Sequence, residues 1–540
     1  MNSLLLIILA AVIFIIAYIT YGKWLAKEWG IDDSRKTPAH NRYNGSDYNP
    51  AKPSILLGHH FSSIAGANPI IGPIQAAVFG WLPVFLWIMV GSVFVGGVQD
   101  FGAIFASIRN DGKSIGRIVE FNMGSTGKKL FNLFAWLMIL LVIAAFIDIC
   151  SKTFTSVPEA GTSSFVFVIL SMLYGYIVNR RRPSFWISTI VGIVFSVFSI
   201  WMGMMFPMVL SADPVINARM WIIIILVYIA IASVLPIWLL LQPRDYLNSF
   251  LLYALIIGTV AGLLIKNPEI NLDMFTGFKT ASGDYLFPML FVTLTSGAVS
   301  GFHCLVASGT TSKQIDKESH ARIIGYGTML IEGLLAIVAL ITAGYFAAPE
   351  FSKLMETGGP VTVFSKGISE FLAVVKVPQK SAETFVSLTV TAFAMTSMDT
   401  ATRIGRYLFQ ETFDGADKFV LSNKYVSSLI TIGVVWALTL TGYPRIWSLF
   451  GTANQLLAAL ALLAIGAYLM RQRKNASMIV VPMILIYAVA ITALILEIRR
   501  NIMEMNIPLA VIATGLLVMS AIQFKEGWKI LSSMRLHKRK

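Results

Sequence analysis

Charge is scarce in this 540-residue chain. Only 13% of its residues are Asp, Glu, Lys or Arg, against about a quarter in a soluble globular protein. The scarcity, with 56% hydrophobic residues and a mean hydropathy of +0.73, excludes an ordinary soluble domain. Cysteine is nearly absent. The two present, Cys150 and Cys304, fall near opposite membrane faces in the topology below, so no disulfide is expected and no Cys/His metal cluster is available. Enzyme signatures are missing: there is no H-E-x-x-H and no G-x-S-x-G. "DGKS" at 111–114 imitates the end of a phosphate-binding loop, but Ser107 stands where its first glycine belongs and no strand precedes it. "GYG" at 325–327 lacks the third glycine of a dinucleotide fingerprint. Neither an enzyme nor a bound cofactor is expected. No Lys or Arg is expected at mid-membrane depth, which argues against an arginine-lined anion pore; Arg403 and Arg406 lie close enough to a helix end to snorkel.

What the chain does have is apolar runs near the ~20 residues that a bilayer requires. They predict an all-α polytopic membrane protein of about fifteen spanning helices, near 4–22, 59–79, 81–107, 130–149, 162–179, 184–208, 219–241, 247–265, 285–308, 322–347, 384–402, 425–443, 446–470, 478–497 and 506–523. The first is read as a retained helix; a signal peptide is the alternative, but no basic leader or small-residue cleavage site accompanies it.

With the N-terminus outside and the C-terminus inside, 31 of the 42 Lys and Arg residues fall on the inner side. The net charge of +14 is therefore a positive-inside signal and not a nucleic-acid footprint. "NRRRP" at 179–183 and "RQRK" at 471–474 carry much of the bias, and the tail "RLHKRK" at 535–540 is suited to anionic lipid headgroups. The orientation holds only if 59–79 spans. That segment opens "GHHFSSIAGANPIIGPIQAA", whose glycines and prolines are tolerated in a membrane only where broken backbone is sheltered by protein or lines a cavity. The loop 348–383 carries Phe364, Ile368, Phe371 and Leu372 at helical spacing. It reads as an amphipathic, lid-like helix on the outer face or as a solvated loop with an ordinary helical turn.

Polar chemistry inside spans marks function by default. It concentrates at 58–77, at "TLTSGAVSGFHCLVASGTTSKQ" (293–314), at "TAFAMTSMDTATRIGRY" (391–407) and more weakly at "GTANQ" (451–455). The first two segments run in opposite senses, and paired interrupted helices of that kind point to a transporter site. The candidate substrate-binding residues are His59, His60, Ser62, Ser63, Gly66 and Asn68 from the first segment. From the second come Ser296, Gly297, Ser300, Gly301 and His303. An anionic substrate group would meet N–H groups at the breaks near Gly66–Asn68 and Ser296–Gly301, and the histidines would bond it or relay a proton. Plainer readings stand beside these. Gly and Ser at 293–311 serve close helix packing, and His303 is a hydrogen-bonded interior histidine. Asp100 and Asp148 sit near helix ends, solvated or paired with a nearby base. Glu497 makes an interfacial ion pair beside Arg499 and Arg500. Glu332 is isolated and stays open between the two readings.

At these residues the chain resembles the carbon starvation protein A family. The resemblance rests on "GHHFSSIAGANPIIGP", "GGVQDF", "SIRNDGKSI", "TSGAVSGFHCLVASGTTSKQI" and "TSMDTATRIGRY", and it extends from about 55 to 470. It implies a multi-pass transporter of the bacterial plasma membrane, with a LeuT-type inverted repeat and discontinuous helices. The repeats would be 59–208 and 285–470, in a single transmembrane domain with accessory helices and a basic tail over 478–540. The family includes proton-coupled pyruvate importers and members assigned to peptide uptake during starvation. The expected partners are therefore pyruvate or a similar small carboxylate, or short peptides, and the lipid bilayer. The resemblance also implies coupling-ion chemistry at Thr396, Ser397, Asp399 and Thr400, with H⁺ as the coupling ion and Na⁺ as the alternative. Asp399 would carry the proton or pair with Arg403. A channel or a membrane signalling protein is the reading from a different class. No repeated pore motif is present for the first, and the largest inner loop, 23–58, is short for the second.

Overall fold

The computed structural model describes residues 2–44, 48–181, 184–236, 239–280, 283–413, 423–440 and 443–537. Among them the secondary structure is helical, with three isolated β-bridges and no strand. Eleven helical stretches are long and apolar enough to cross a membrane. The reason is thermodynamic: hydrocarbon offers no partner to a peptide group, so a spanning segment must satisfy its backbone internally.

The chain opens with α1 (Ser3–Ala17), α2 (Lys23–Glu28) and α3 (Pro38–Asn41), then α4 (Pro53–Ala65), α5 (Asn68–Ala76), α6 (Trp81–Gly91) and α7 (Gly97–Ile108). The long α8 (Ile115–Ser156) is interrupted at Gly124 and leads to α9 (Pro158–Arg181), α10 (Phe185–Met205), α11 (Pro214–Val234) and α12 (Leu241–Lys266). Then come α13 (Leu286–Thr293), α14 (Gly301–Gly309), α15 (Thr328–Tyr345), α16 (Ala348–Leu372) and α17 (Gln379–Thr412). The chain ends with α18 (Lys424–Thr439), α19 (Tyr443–Arg471), α20 (Ser477–Met503) and α21 (Ile507–His537).

Burial sorts these helices. The apolar window of α19 is 94% buried and that of α8 is 83%, whereas those of α1 and α10 are 28% buried. Helices α8 and α19 pack on each other and form the centre with α17. Exposed Ile190, Val194, Val197 and Trp201 on α10, with Leu5, Ile8 and others on α1, make apolar outer faces. A water-facing surface of that kind would associate; a lipid-facing one is satisfied.

Two helices are broken. The first break separates α4 from α5 at Gly66, whose φ of +49° and ψ of −145° admit essentially only glycine. A Cβ there would also stand 2.5 Å from Ser397 Oγ. The second separates α13 from α14, with 294–300 non-helical between them and Gly297 at φ +80°. The second break packs on the helix that follows the first: Gly72 of α5 lies against the Thr293 carbonyl and the Leu294 Cα.

Within 348–383 the helix reading holds and the solvated loop does not: α16 runs to Leu372 and is packed. Gly359 interrupts α16 at φ +71°, and Phe364, Ile368 and Phe371 in its second half are fully buried. Helix α17 extends well past the expected 384–402. Cys150 and Cys304 are both buried and free. Part of the "NRRRP" cluster (182–183) and the end of the basic tail (538–540) lie outside the described residues.

Candidate functional site

The second break is braced from all sides. Gln99 of α7 donates to the Ser300 carbonyl, and Ser92 donates to the Gly297 carbonyl at 2.6 Å. Asn454 of α19 accepts from the Phe302 N–H at 2.9 Å and donates to the Thr295 carbonyl at 3.2 Å, while Gln455 donates to the Phe291 carbonyl at 3.0 Å. The weak "GTANQ" signal is thus the clamp that satisfies broken backbone. Such side-chain partners are what make non-helical peptide tolerable at membrane depth.

Beside this clamp lies a sealed ionic cluster. His303 of α14 turns Nδ1 to Asp100 Oδ2 of α7 at 2.9 Å and Nε2 to Glu332 Oε2 of α15 at 3.5 Å, and all three side chains are fully buried. Glu332 Oε1 accepts the Gly297 N–H at 3.1 Å, and Ser296 Oγ stands 3.5 Å from His303 Nε2. The Ile64 backbone, just before the first break, also bonds the imidazole. With a carboxylate facing each ring nitrogen, the cluster offers a proton three sites, the imidazole and either carboxylate.

The second cluster joins α11, α12 and α17. Arg244 Nη1 donates to Asp399 Oδ2 and meets the Tyr228 hydroxyl, and Tyr228 donates to Asp399 Oδ2 at 2.7 Å. Asn248 donates to Thr396 Oγ1 at 2.7 Å, and Asp245 bonds the same threonine. Arg244 and Asp399 are both fully buried. Ser397, against Gly66, ties this cluster to the first break. Polar residues 244, 245 and 248 share one face of α12, as helical spacing requires.

A third set of contacts lies where α7 and the segment after α14 end. Arg109 pairs with Glu318 at 2.7 Å and donates to the Gly30 carbonyl, and Glu318 also accepts the Asp32 N–H. At the far end of α15, α16 and α17 frame a cleft of about 640 Å³ lined by Glu350, Lys366, Glu370, Lys380 and Glu383.

Several expectations need correction. Asp100 is not a solvated helix-end residue; it faces His303 across helices. Asp399 pairs with Arg244 and not with Arg403. Arg403 and Arg406 do not snorkel: their guanidinium groups bond the carbonyls of Ala232, Leu235 and Ser233, closing the end of α11. A buried cation does exist, since Arg244 sits inside α12 and not in a loop. Glu497 takes a hydrogen bond from Ser448, while Arg500 pairs with Glu504. Asp148 pairs with Lys152 at 2.8 Å, the nearby base anticipated for it.

The remaining candidates divide. His60 is buried, with Nδ1 2.8 Å from Thr311 Oγ1 and Nε2 without a partner; Asn68 Oδ1 is likewise buried and unpartnered. His59 and Thr400 are half-buried. Ser62 and Ser63 spend their hydroxyls on carbonyls of their own helix, Gly58 and His59. Ser300 bonds Asn454, and Gly301 packs on the α19 backbone, so both serve the clamp. The cluster residues absent from the sequence-based candidates are Asp100, Tyr228, Arg244, Asp245 and Asn248, with Glu332 left open there. "PRDYLN" at 243–248, a polar run at the head of an apolar stretch, was the one signal for Arg244, Asp245 and Asn248.

A family model described as Carbon starvation protein CstA matches residues 2–357 and 347–493. The chain is 32% identical to Peptide transporter CstA of Helicobacter pylori, an alignment covering 92% of this chain and 82% of that one. It is 31% identical to Peptide transporter CstA of Escherichia coli, covering 89% and 79%. It is 29% identical to Pyruvate/proton symporter BtsT of Escherichia coli, covering 88% and 78%. Among solved structures, a crystal structure of an Eremococcus coleocola manganese transporter mutant aligns over 90% of this chain and 97% of that one at 13% identity. Its TM-score of 0.43 is too low to bear on fold or site.

Proposed function

This chain belongs to the carbon starvation protein CstA family, and we propose that it is a proton-driven secondary importer of pyruvate or a similar small carboxylate across the bacterial plasma membrane. Short peptides are the second substrate class, favoured by the relatives whose names say so. The observation that carries the proton is the sealed Asp100–His303–Glu332 cluster. Desolvating three ionisable groups costs several kcal/mol per charge, so such a group inside a membrane is a functional candidate by default. It touches the second break through Gly297 and the first through Ile64. Protonation there would alter the contacts that hold both broken helices, and a proton acts on an equilibrium only through such differential contacts.

Sodium coupling is the weaker reading. Of the hydroxyls that would hold a sodium ion, Thr396 is bonded by Asn248, and the neighbouring carboxylate, Asp399, already holds the Arg244 guanidinium. A sodium ion would have to displace both.

In this reading fifteen segments span: the eleven long apolar helices, the two broken ones, the polar α17 and the short α18. The N-terminus lies outside, and 59–208 and 285–470 are inverted repeats. The packing of Gly72 in the first broken helix on the break of the second supports pairing the two. His60 Nε2 and Asn68 Oδ1, buried without partners beside the first break, supply polar contacts for substrate. The Arg109–Glu318 contacts act as an inner gate and the charged cleft around Glu370 as an outer vestibule, with α16 as its lid.

The test is uptake of labelled pyruvate and dialanine by vesicles reconstituted with the full chain. An imposed pH gradient should drive accumulation, and replacing sodium with choline should not matter. Asp100→Asn and Glu332→Gln should abolish gradient-driven accumulation while retaining exchange of internal for external substrate. Accumulation that ignores the pH gradient, or that survives both substitutions, refutes the proton assignment.

A further inference from the structure

At the second break the Gly297 N–H is taken by Glu332, and the Phe302 N–H just beyond the expected span is taken by Asn454. A cationic side chain would hold a carboxylate more strongly than the neutral N–H groups that remain. Arg244 offers one. Its guanidinium is fully buried and uses Nη1 for both Asp399 and Tyr228. Its Nε and Nη2 have no partner among protein atoms. Those two N–H groups lie on one edge and point the same way, the two-pronged geometry that matches the two oxygens of a carboxylate.

Leaving that edge empty is costly, because each buried donor without an acceptor forfeits its hydration. The neighbours do not fill it. Asp399 Oδ1, Asp245 Oδ1 and Asn248 Oδ1 are themselves buried and unpartnered, although each side chain makes another bond. Donor and acceptor atoms without protein partners thus occur together on α12 and α17, and the ion-pair network there is incomplete. This network adjoins the first break, because Ser397, two residues before Asp399, packs on Gly66. Arg403 differs in that the Nη2 of the corresponding edge is spent on the carbonyls of Ala232 and Leu235, while Arg406 turns Nη1 to the Ser233 carbonyl.

We infer that the Nε–Nη2 edge of Arg244 is the carboxylate anchor of the transport site, held in orientation by Asp399 and Tyr228. This inference rests on the importer reading above and adds the group that recognises the substrate's charge. Pyruvate and a peptide C-terminus share that chemistry, so both are used as probes.

The experiment measures initial uptake rates of pyruvate and dialanine by vesicles containing the full-length protein under an imposed pH gradient. Arg244→Lys keeps a cation opposite Asp399 but removes the two-nitrogen edge. It is expected to raise KM for the transported carboxylate by about tenfold or more with Vmax changed by less than about twofold, the pattern of lost substrate binding. Pyruvamide, which lacks the charge, should compete poorly in the wild type and relatively better in the variant. A second variant, Arg244→Gln with Asp399→Asn, removes both members of the ion pair together, so neither is left facing an uncharged partner. It should lose discrimination between pyruvate and pyruvamide. Unchanged KM and unchanged discrimination in either folded variant overturn the anchor and leave the importer reading standing. A wild type that accumulates neither pyruvate nor dialanine overturns the importer reading itself. Loss affecting dialanine alone identifies a peptide terminus as the source of the carboxylate, and loss affecting pyruvate alone identifies the small acid.

Discussion

Replacing Gly66 with alanine tests the first break directly, because a broken and a continuous helix predict opposite signs. In a continuous helix the exchange removes the entropic penalty of glycine and stabilises by about 1 kcal/mol. In this structure the residue adopts φ +49° and ψ −145°. Holding a side-chain-bearing residue in such a region costs about 1–3 kcal/mol. The new methyl would also stand 2.5 Å from Ser397 Oγ, an overpacking contact worth about 1–3 kcal/mol. The sum is a destabilisation of roughly 2–6 kcal/mol. Ser397→Ala in the same chain removes the offending oxygen and leaves a Cβ contact of 3.5 Å. It should therefore recover the packing part and leave about 1–3 kcal/mol of backbone strain. The assay is thermal unfolding of the purified protein in detergent, with uptake measured in parallel. A variant as stable as the parent, or more stable, would refute the broken helix and with it the site assembled around it.

Further outcomes follow from the same contacts. Asp399→Ala strands the buried Arg244 guanidinium and should destabilise by roughly 3–5 kcal/mol, whereas the neutral pair Arg244→Gln/Asp399→Asn should unfold close to the parent temperature. Asn454→Ala leaves the Phe302 N–H and the Thr295 carbonyl unsatisfied, a loss of about 1–3 kcal/mol for each group. Asn454→Asp keeps the acceptor but not the donor, so it should rescue only in part, as read by the same unfolding assay. Cys150 and Cys304 are both buried, so a maleimide reagent should label neither thiol in the native protein and both after denaturation, scored by intact mass.

The class of this protein was legible in its sequence because lipid imposes a one-dimensional rule. Apolar runs of sufficient length and basic loops between them are visible without any tertiary contact. The broken segments were legible for a related reason: Gly66, Gly297 and the prolines around them violate helix propensity locally, and a membrane forgives that only where something shelters it. What those breaks need in return was only half legible. "GTANQ" stood out as polar, but nothing in it said that Asn454 and Gln455 would reach across to the 291–302 backbone.

The pairing of charges was not legible. Asp100, His303 and Glu332 lie on three different helices, separated by 203 residues between Asp100 and His303, and each alone looks like a helix-end or interior residue. Arg403, four residues from Asp399, was the natural partner by helical spacing, yet Arg244, 155 residues away, holds the carboxylate. Arg244 itself fell in the gap between the apolar runs 219–241 and 247–265, because those runs end where the polar stretch 242–246 begins. Hydrophobic length, loop charge and local backbone chemistry depend on neighbours in the chain, and the sequence by itself determined those. Which ionisable groups meet depends on how helices far apart in the chain pack. Desolvation makes only a few such meetings tolerable, and only the tertiary structure decided which ones form.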